Sequence, residues 1–277
     1  MSTWYSEHPP EAPRIGPAGY ALAALRIACL GPLIFGGLGV LLAVRIVERP
    51  LHGDHRPWTP AITRSVCRGA LRGMGIAHRV QGEMARGRVV MVSNHASWLD
   101  IFALNACGPL YFVSKAEVAA WPGIGWLARA TGTVFISRAR RDAARQQILL
   151  GHRLRMGHRL LLFPEGTSTD GHRVLPFKPT LFEVFFSQDT KNIQIQPMTV
   201  TYHAPTHQPS RFYGWWGDMS FGAHFLKVLA SPHPGCVDVT CHPATPVSDH
   251  PHRKALARHC EAVVRGALEG RLERRQP

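Results

Sequence analysis

Apolar residues along this chain fall into three kinds of run, and each kind predicts a different element. The longest is IACLGPLIFGGLGVLLAV, residues 27 to 44, which holds 18 residues without a charge between Arg26 and Arg45. A helix needs roughly 20 such residues to cross a hydrocarbon core, and flanking arginines can snorkel to its interface. A membrane-embedded helix is therefore expected. It either spans the bilayer or, because Pro32, Gly36 and Gly37 loosen it, inserts part-way. A buried core helix and a cleaved signal peptide are the competing readings. The second fits poorly, since a long proline-containing stretch precedes the run and no small-residue cleavage site follows it.

The second kind is short, four to nine residues, and of strand composition. Such runs predict strands near residues 77–82, 88–93, 110–113, 133–137, 159–163, 193–201 and 236–241. The third kind has helical period and predicts helices near 98–106, 123–130, 140–157, 179–187, 219–229 and 252–272. The last of these is amphipathic, with Leu256, Val263, Leu268 and Leu272 on its apolar side. Strands alternating with helices predict an α/β fold: a single domain with a mixed, largely parallel sheet flanked by helices, preceded by the N-terminal membrane-embedded helix. No linker, repeat or low-complexity tract divides the body. The expected organisation is an anchoring region over 1–75 and a domain over 76–277 whose motif core is 88–202.

Charge sharpens the membrane reading. The chain carries 32 Lys+Arg against 18 Asp+Glu, a formal +14, which suits nucleic acid, an anionic membrane surface or anionic substrates. No zinc-finger spacing or RNP-like string supports nucleic acid as a partner. Arg64, Arg68 and Arg72 recur every four residues beside Trp58, Ile62, Val66 and Leu71. A helix over 59–73 then has one cationic and one apolar stripe, suited to a headgroup layer. A solvated surface helix is the plain alternative. Arginines following the apolar run place the body on the cytoplasmic side of an inner membrane by the positive-inside rule. The six cysteines are scattered, which argues against a disulfide framework.

Three polar motifs sit where predicted strands end, and reactive groups collect there in α/β sheets. In NHASWLD (94–100), His95 and Asp100 follow the run RVVMVS with four residues between them. On a turn leading into a helix they can face one side, so that the carboxylate fixes the imidazole tautomer and frees its other nitrogen as a base. A helix-capping Asp beside a structural His is the alternative. GTVFISR (132–138) delivers Arg138 at a strand exit; arginine holds phosphate or carboxylate with paired hydrogen bonds, although a lone arginine there is often a surface charge. In LLLFPEGTSTDG (160–171), Glu165 follows a fully apolar strand and requires a bonding partner, while Gly166 and Thr167 form a turn able to donate to an oxyanion.

Taken together and in this order, NHASWLD, GTVFISR and FPEGTST resemble the glycerolipid acyltransferase family of lysophosphatidic acid acyltransferases, across roughly residues 76 to 202. IQIQPMTV with Pro197 resembles the family's fourth block, Lys115 and Glu117 with Trp121, Pro122 and Gly123 its K-x-E…P-x-G stretch, and FKPTLFE with Lys178 its continuation after the third motif. Ala96 stands where many members have Arg or Gln. The wording of the motifs is similar to a bacterial subgroup that includes lyso-ornithine lipid acyltransferases.

The resemblance implies a membrane-associated O-acyltransferase moving a fatty acyl group from an acyl carrier protein or coenzyme A thioester to a lyso-lipid hydroxyl. It implies His95 as general base, Asp100 as its orienting partner, and Arg138 gripping the acceptor's anionic group. Glu165, Gly166 and Thr167 would shape the acceptor site, Lys115 would add an anion contact, and neither metal nor bound cofactor would be needed. The expected acceptor is 1-acyl-glycerol-3-phosphate, giving phosphatidic acid; the alternative is lyso-ornithine lipid, whose polar end bears a carboxylate and an amine. A hydrolase is disfavoured by the absence of a GxSxG elbow, and a non-catalytic lipid-binding protein is the remaining class. The aromatic FYGWWGDMSF, residues 212–221, reads as an acyl-contacting surface or a hydrophobic cluster.

Overall fold

The computed structural model describes residues 3–7, 15–121, 123–137, 142–186 and 192–273. Eight strands form one sheet: β1 (Ala77–Gln81), β2 (Val89–Ser93), β3 (Tyr111–Lys115), β4 (Val134–Ile136), β5 (Leu160–Leu162), β6 (Gln194–His203), β7 (Cys236–Cys241) and β8 (Thr245–Pro246). Their order is β1-β7-β6-β2-β5-β3-β4, with β8 pairing β6. β6, β2, β5, β3 and β4 are mutually parallel, while β7 and β8 pair antiparallel to β6 and β1 runs with β7. The sheet is thus mixed and largely parallel, as its strand-and-helix alternation predicts.

Strand composition follows from two-sided burial. In β2, Val89 and Met91 belong to one core and Val90 and Val92 to the other, so no polar alternation survives. One face packs α1 (Pro17–His52), α2 (Thr59–Gly73), α3 (Asp100–Cys107) and α6 (Phe221–Leu229). The other packs α5 (Ala143–Arg155) and α7 (Arg253–Glu273), with Leu150, Leu154, Leu256, Val264 and Leu268 buried. α4 (Ile124–Ala130) lies between β3 and β4 in sequence.

Some elements depart from expectation, including the short 3-10 helices Ala116–Ala120 and Val247–Asp249. Residues Pro179–Phe186 form a 3-10 helix rather than an α-helix, β8 was not visible in the pattern, and α1 extends well beyond the apolar run, over 36 residues. Its extra turns are held by polar contacts. Arg26 Nη1 donates to the Leu229 and Ser231 carbonyls at 2.8 Å each. Buried Glu48 accepts from the Trp58 and Thr59 amides, the Thr59 hydroxyl and Arg45. Trp58 and Thr59 open α2, so Glu48 supplies the acceptor that the first amides of α2 lack within the helix. The apolar stretch of α1 is long enough to cross a membrane, and only 11% of its most apolar 18-residue window is buried. Leu25, Ile27, Phe35, Val40 and Leu42 are left exposed, a surface that lipid would cover.

The consequence for function is positional. Residues 94–100 follow β2, Lys115 ends β3 and residues 163–167 follow β5. The polar motifs therefore belong to the carboxyl ends of parallel strands, where α/β sheets place their ligands.

Candidate active site

His95 lies in the turn between β2 and α3. Asn94 just before it continues the sheet by one step with its side chain: Nδ2 donates to the Val200 carbonyl at 2.9 Å and Oδ1 accepts the Val200 amide at 2.8 Å. The strand thus ends rigidly. The His95 ring stacks on Phe163 (centroids 4.1 Å apart, planes 15° from parallel), and Phe163 stacks on Phe112.

His95 Nδ1 is 2.7 Å from Asp100 Oδ2. The same oxygen accepts the Ala96 amide at 2.8 Å and the Ser97 amide at 3.1 Å, and Oδ1 accepts the Tyr202 hydroxyl at 2.8 Å. Asp100 is fully buried, and these donors replace the water it loses. Asp100 acts as the acceptor in all of them, so the proton between the two residues belongs on Nδ1 and the lone pair on Nε2. No described residue bonds Nε2, and the side chain is 20% exposed, enough to meet a substrate. Asp100 also opens α3. The helix-initiating Asp and the imidazole-orienting Asp, set against each other as readings of the sequence, are one residue.

Tyr202 was not singled out from the sequence. It lies within β6 on the face shared with Met198 and Val200, and only its phenol among core aliphatics hints at a polar partner. Burial, then the Asp100 charge, pushes its hydroxyl well above the ordinary tyrosine range, which keeps it a donor.

Glu165 is buried and serves as a strut. Oε1 accepts the His95 backbone amide and Oε2 the Leu175 amide, both at 2.7 Å. Burial nevertheless pushes its pKa up to about 8. Gly166 takes φ +72°, a left-handed turn, and a β-carbon there would lie 2.6 Å from Lys178 Nζ. Thr167 is half-buried, and its hydroxyl faces the Ser168 carbonyl at 3.4 Å. Lys115 ends β3 in register with Ile136 of β4. Arg138, with Arg140 and Arg141, lies outside the described residues, as does Pro122.

The third motif closes over the first. The Thr169 amide donates to the His95 carbonyl at 2.9 Å and the Trp215 amide to the Ala96 carbonyl at 2.8 Å. Asp170, also buried, accepts from Arg173 and Arg211. Trp215 brings the aromatic segment 212–221 to the same loop, with Trp121 and Phe221 edge-on to it. Among the described residues, His203, Cys236 and Asp238 bring metal-ligand atoms within 4.8 Å of one another. Arg271 Nη1, 2.9 Å from Asp238, opposes a cation there. All six cysteines are free thiols.

Comparison with known proteins bears on this geometry. The model of the acyltransferase family matches residues 77–201. A lyso-ornithine lipid O-acyltransferase of Rhodobacter capsulatus is 53% identical over 266 residues, 96% of both chains. A 1-acyl-sn-glycerol-3-phosphate acyltransferase of Neisseria gonorrhoeae is 41% identical, but over only 96 residues, 34% of this chain and 38% of its own. Among solved structures, the LPA acyltransferase PlsC of Thermotoga maritima superposes with a TM-score of 0.66 at 20% identity, covering 94% of this chain and 96% of its own.

Proposed function

The chain belongs to the acyltransferase family whose members act on lysolipids, and from that membership we propose that it is a lyso-ornithine lipid O-acyltransferase. The observation carrying this reading is the reach of the similarity. The ornithine-lipid relative matches the chain nearly end to end, through the anchor, the motifs and α7, whereas the Neisseria glycerol-phosphate relative matches a third of it. The acceptor first expected, 1-acyl-glycerol-3-phosphate, accordingly gives way to the aminolipid.

In the proposed reaction the lipid hydroxyl attacks the carbonyl carbon of an acyl thioester of acyl carrier protein or coenzyme A. His95 Nε2 takes the hydroxyl proton, and Asp100 stabilises the imidazolium through Nδ1. The tetrahedral intermediate collapses with cleavage of the C–S bond, and the thiolate leaves with the proton from His95, giving ester and free thiol. A thioester is already activated, so positioning and proton transfer are the main demands on the protein. No step requires a metal or bound cofactor. Arg138, aided by Lys115, is assigned to the headgroup carboxylate. Glu165 and Gly166 are assigned to shaping the loop around His95, with Thr167 beside the acceptor.

The exposed apolar side of α1 supports anchoring in the membrane that holds the acceptor. The arginines that follow α1 support a catalytic body facing the cytoplasm. Purified protein offered lyso-ornithine lipid or lysophosphatidic acid, each with acyl carrier protein and coenzyme A thioesters, tests the reading. Faster turnover of the ornithine lipid is expected. Turnover of lysophosphatidic acid alone would return the acceptor to the glycerol phosphate class.

A further inference from the structure

At the amino ends of β3, β4 and β5, across the sheet from His95, two arginines share a half-buried position. Arg56 lies in the turn between α1 and α2, and Arg153 near the end of α5. Arg56 Nη1 donates to the Ala130 carbonyl at 2.9 Å, and Arg153 Nη2 to the Gly132 carbonyl at 2.6 Å. Both converge on Gly132. A β-carbon there would sit 3.0 Å from Arg56 Nη1, 3.1 Å from Arg153 Nη2 and 3.0 Å from the Tyr111 ring, and Gly132 takes φ +86°. Arg153 lies over Tyr111, 4.8 Å from its centroid, and buried His158 stacks on the same ring at 4.3 Å.

The positive charge here is not matched. Among the described residues neither arginine forms an ion pair, and the Nε of each is buried without a partner. The acids whose charge reaches them are already engaged: Glu48 caps α2 and pairs with Arg45, and exposed Asp54 bonds His152. Burial, and after it the Arg56 charge, lowers the Arg153 pKa; burial and then Arg45 lower that of Arg56. A narrow cleft opens beside Arg56, with Thr59, Thr63, Asn105, Leu41 and Leu110 among its walls.

From this arrangement we infer that Arg56 and Arg153 form an oxyanion site, separate from the active site, that takes a phosphate group. Guanidinium forks match phosphate oxygens, and a phosphate neutralises paired cations that protein groups leave uncompensated. The turn holding Arg56 directly follows the membrane-embedded helix and carries the exposed Trp58, an interfacial residue type. The phosphate is carried either by an anionic phospholipid headgroup or by a small soluble ion. Because Arg56 belongs to the anchoring hairpin and Arg153 to the catalytic body, one bound phosphate ties the two together.

The experiment is thermal unfolding of the full chain in a phosphate-free maltoside detergent. The additions are inorganic phosphate, chloride at equal ionic strength, or vesicles of phosphatidylglycerol or phosphatidylcholine. A rise of about 5 °C with phosphate or with phosphatidylglycerol, beyond the chloride or phosphatidylcholine control, is expected at saturation. Arg153→Gln and Arg56→Gln should each abolish the rise, while Arg155→Gln, on the exposed side of α5, should keep it. A response to phosphatidylglycerol alone identifies the lipid headgroup as the source; a response to inorganic phosphate as well means the ion suffices. The site is refuted if the unmodified protein responds to neither addition, or if Arg153→Gln and Arg56→Gln respond as it does.

Discussion

Glu165 Oε1 accepts the backbone amide of His95 at 2.7 Å, so the loop after β5 holds the loop after β2. Two strand ends that are neighbours in the sheet are fixed to each other by one buried carboxylate. Burial pushes its folded-state pKa to about 8, above the ordinary carboxyl value of 4.5. A raised carboxyl pKa contributes stability that is fully present below pH 4.5 and is lost as pH rises through 8. Glu165→Gln removes that titration and forces an amide N–H toward one of two backbone donors, costing about 1–3 kcal/mol below pH 5. Chemical denaturation from pH 5 to 9 should show the gap between unmodified protein and variant narrowing as pH rises. A constant gap would mean that Glu165 does not titrate in this range.

Replacing Asp100 by Asn turns one acceptor oxygen into a donor while the Ala96, Ser97 and Tyr202 donors remain. The imidazole then loses the partner that holds its proton on Nδ1. A loss of about 10²–10⁴-fold in kcat is expected, with lipid KM changed only a few-fold. His95→Ala should reduce transfer to background and leave membrane association intact. Steady-state assays with flotation of the variants check both, and unaltered turnover in His95→Ala would remove the general base from the mechanism.

Much of this was legible in the chain because two-sided burial leaves a plain mark. All seven strands expected from short apolar runs are present, and His95 and Asp100 meet as their spacing implies. Glu165 was readable as a buried acid needing a partner, but that the partner is the His95 backbone, 70 residues away, is a product of sheet order. Tyr202 was missed for the same reason: its partner Asp100 comes from another strand's loop. The length of α1 was under-read because Arg26, Arg45 and Glu48 look like boundary charges until their partners in α2 and after α6 are seen. The 3-10 stretch after Lys178 has helical period without a full α-turn ladder, a distinction that hydrophobic spacing does not make.

Tyr202→Phe isolates the remaining support of the dyad. It leaves Asp100 Oδ1 buried without its one donor, a cost of about 1–3 kcal/mol in stability. Without that bond Asp100 holds the imidazole less firmly, so kcat should fall about tenfold. A purely structural role would lower the unfolding midpoint and leave kcat and its pH profile alone. Measuring both on the same preparation separates the outcomes.

The first two helices, α1 and α2, meet through glycine. A β-carbon on Gly37 of α1 would run into Val66 Cγ2 of α2, and β-carbons on Gly69 and Gly73 of α2 would press tightly on Leu33 and Leu30 of α1. A glycine at each of these points lets the two helices approach closely enough for the facing side chains to pack against backbone. Gly37→Ala should therefore overpack the hairpin by about 1–3 kcal/mol, lowering the thermal midpoint in detergent without touching the dyad. Val66→Ala in the same chain removes the colliding methyl and should restore much of the loss, whereas two independent losses that simply add would show that these helices do not pack through Gly37. Since α2 packs on α3, the helix that begins at Asp100, the single variant should also lose activity on warming before the body unfolds, and the double variant should not.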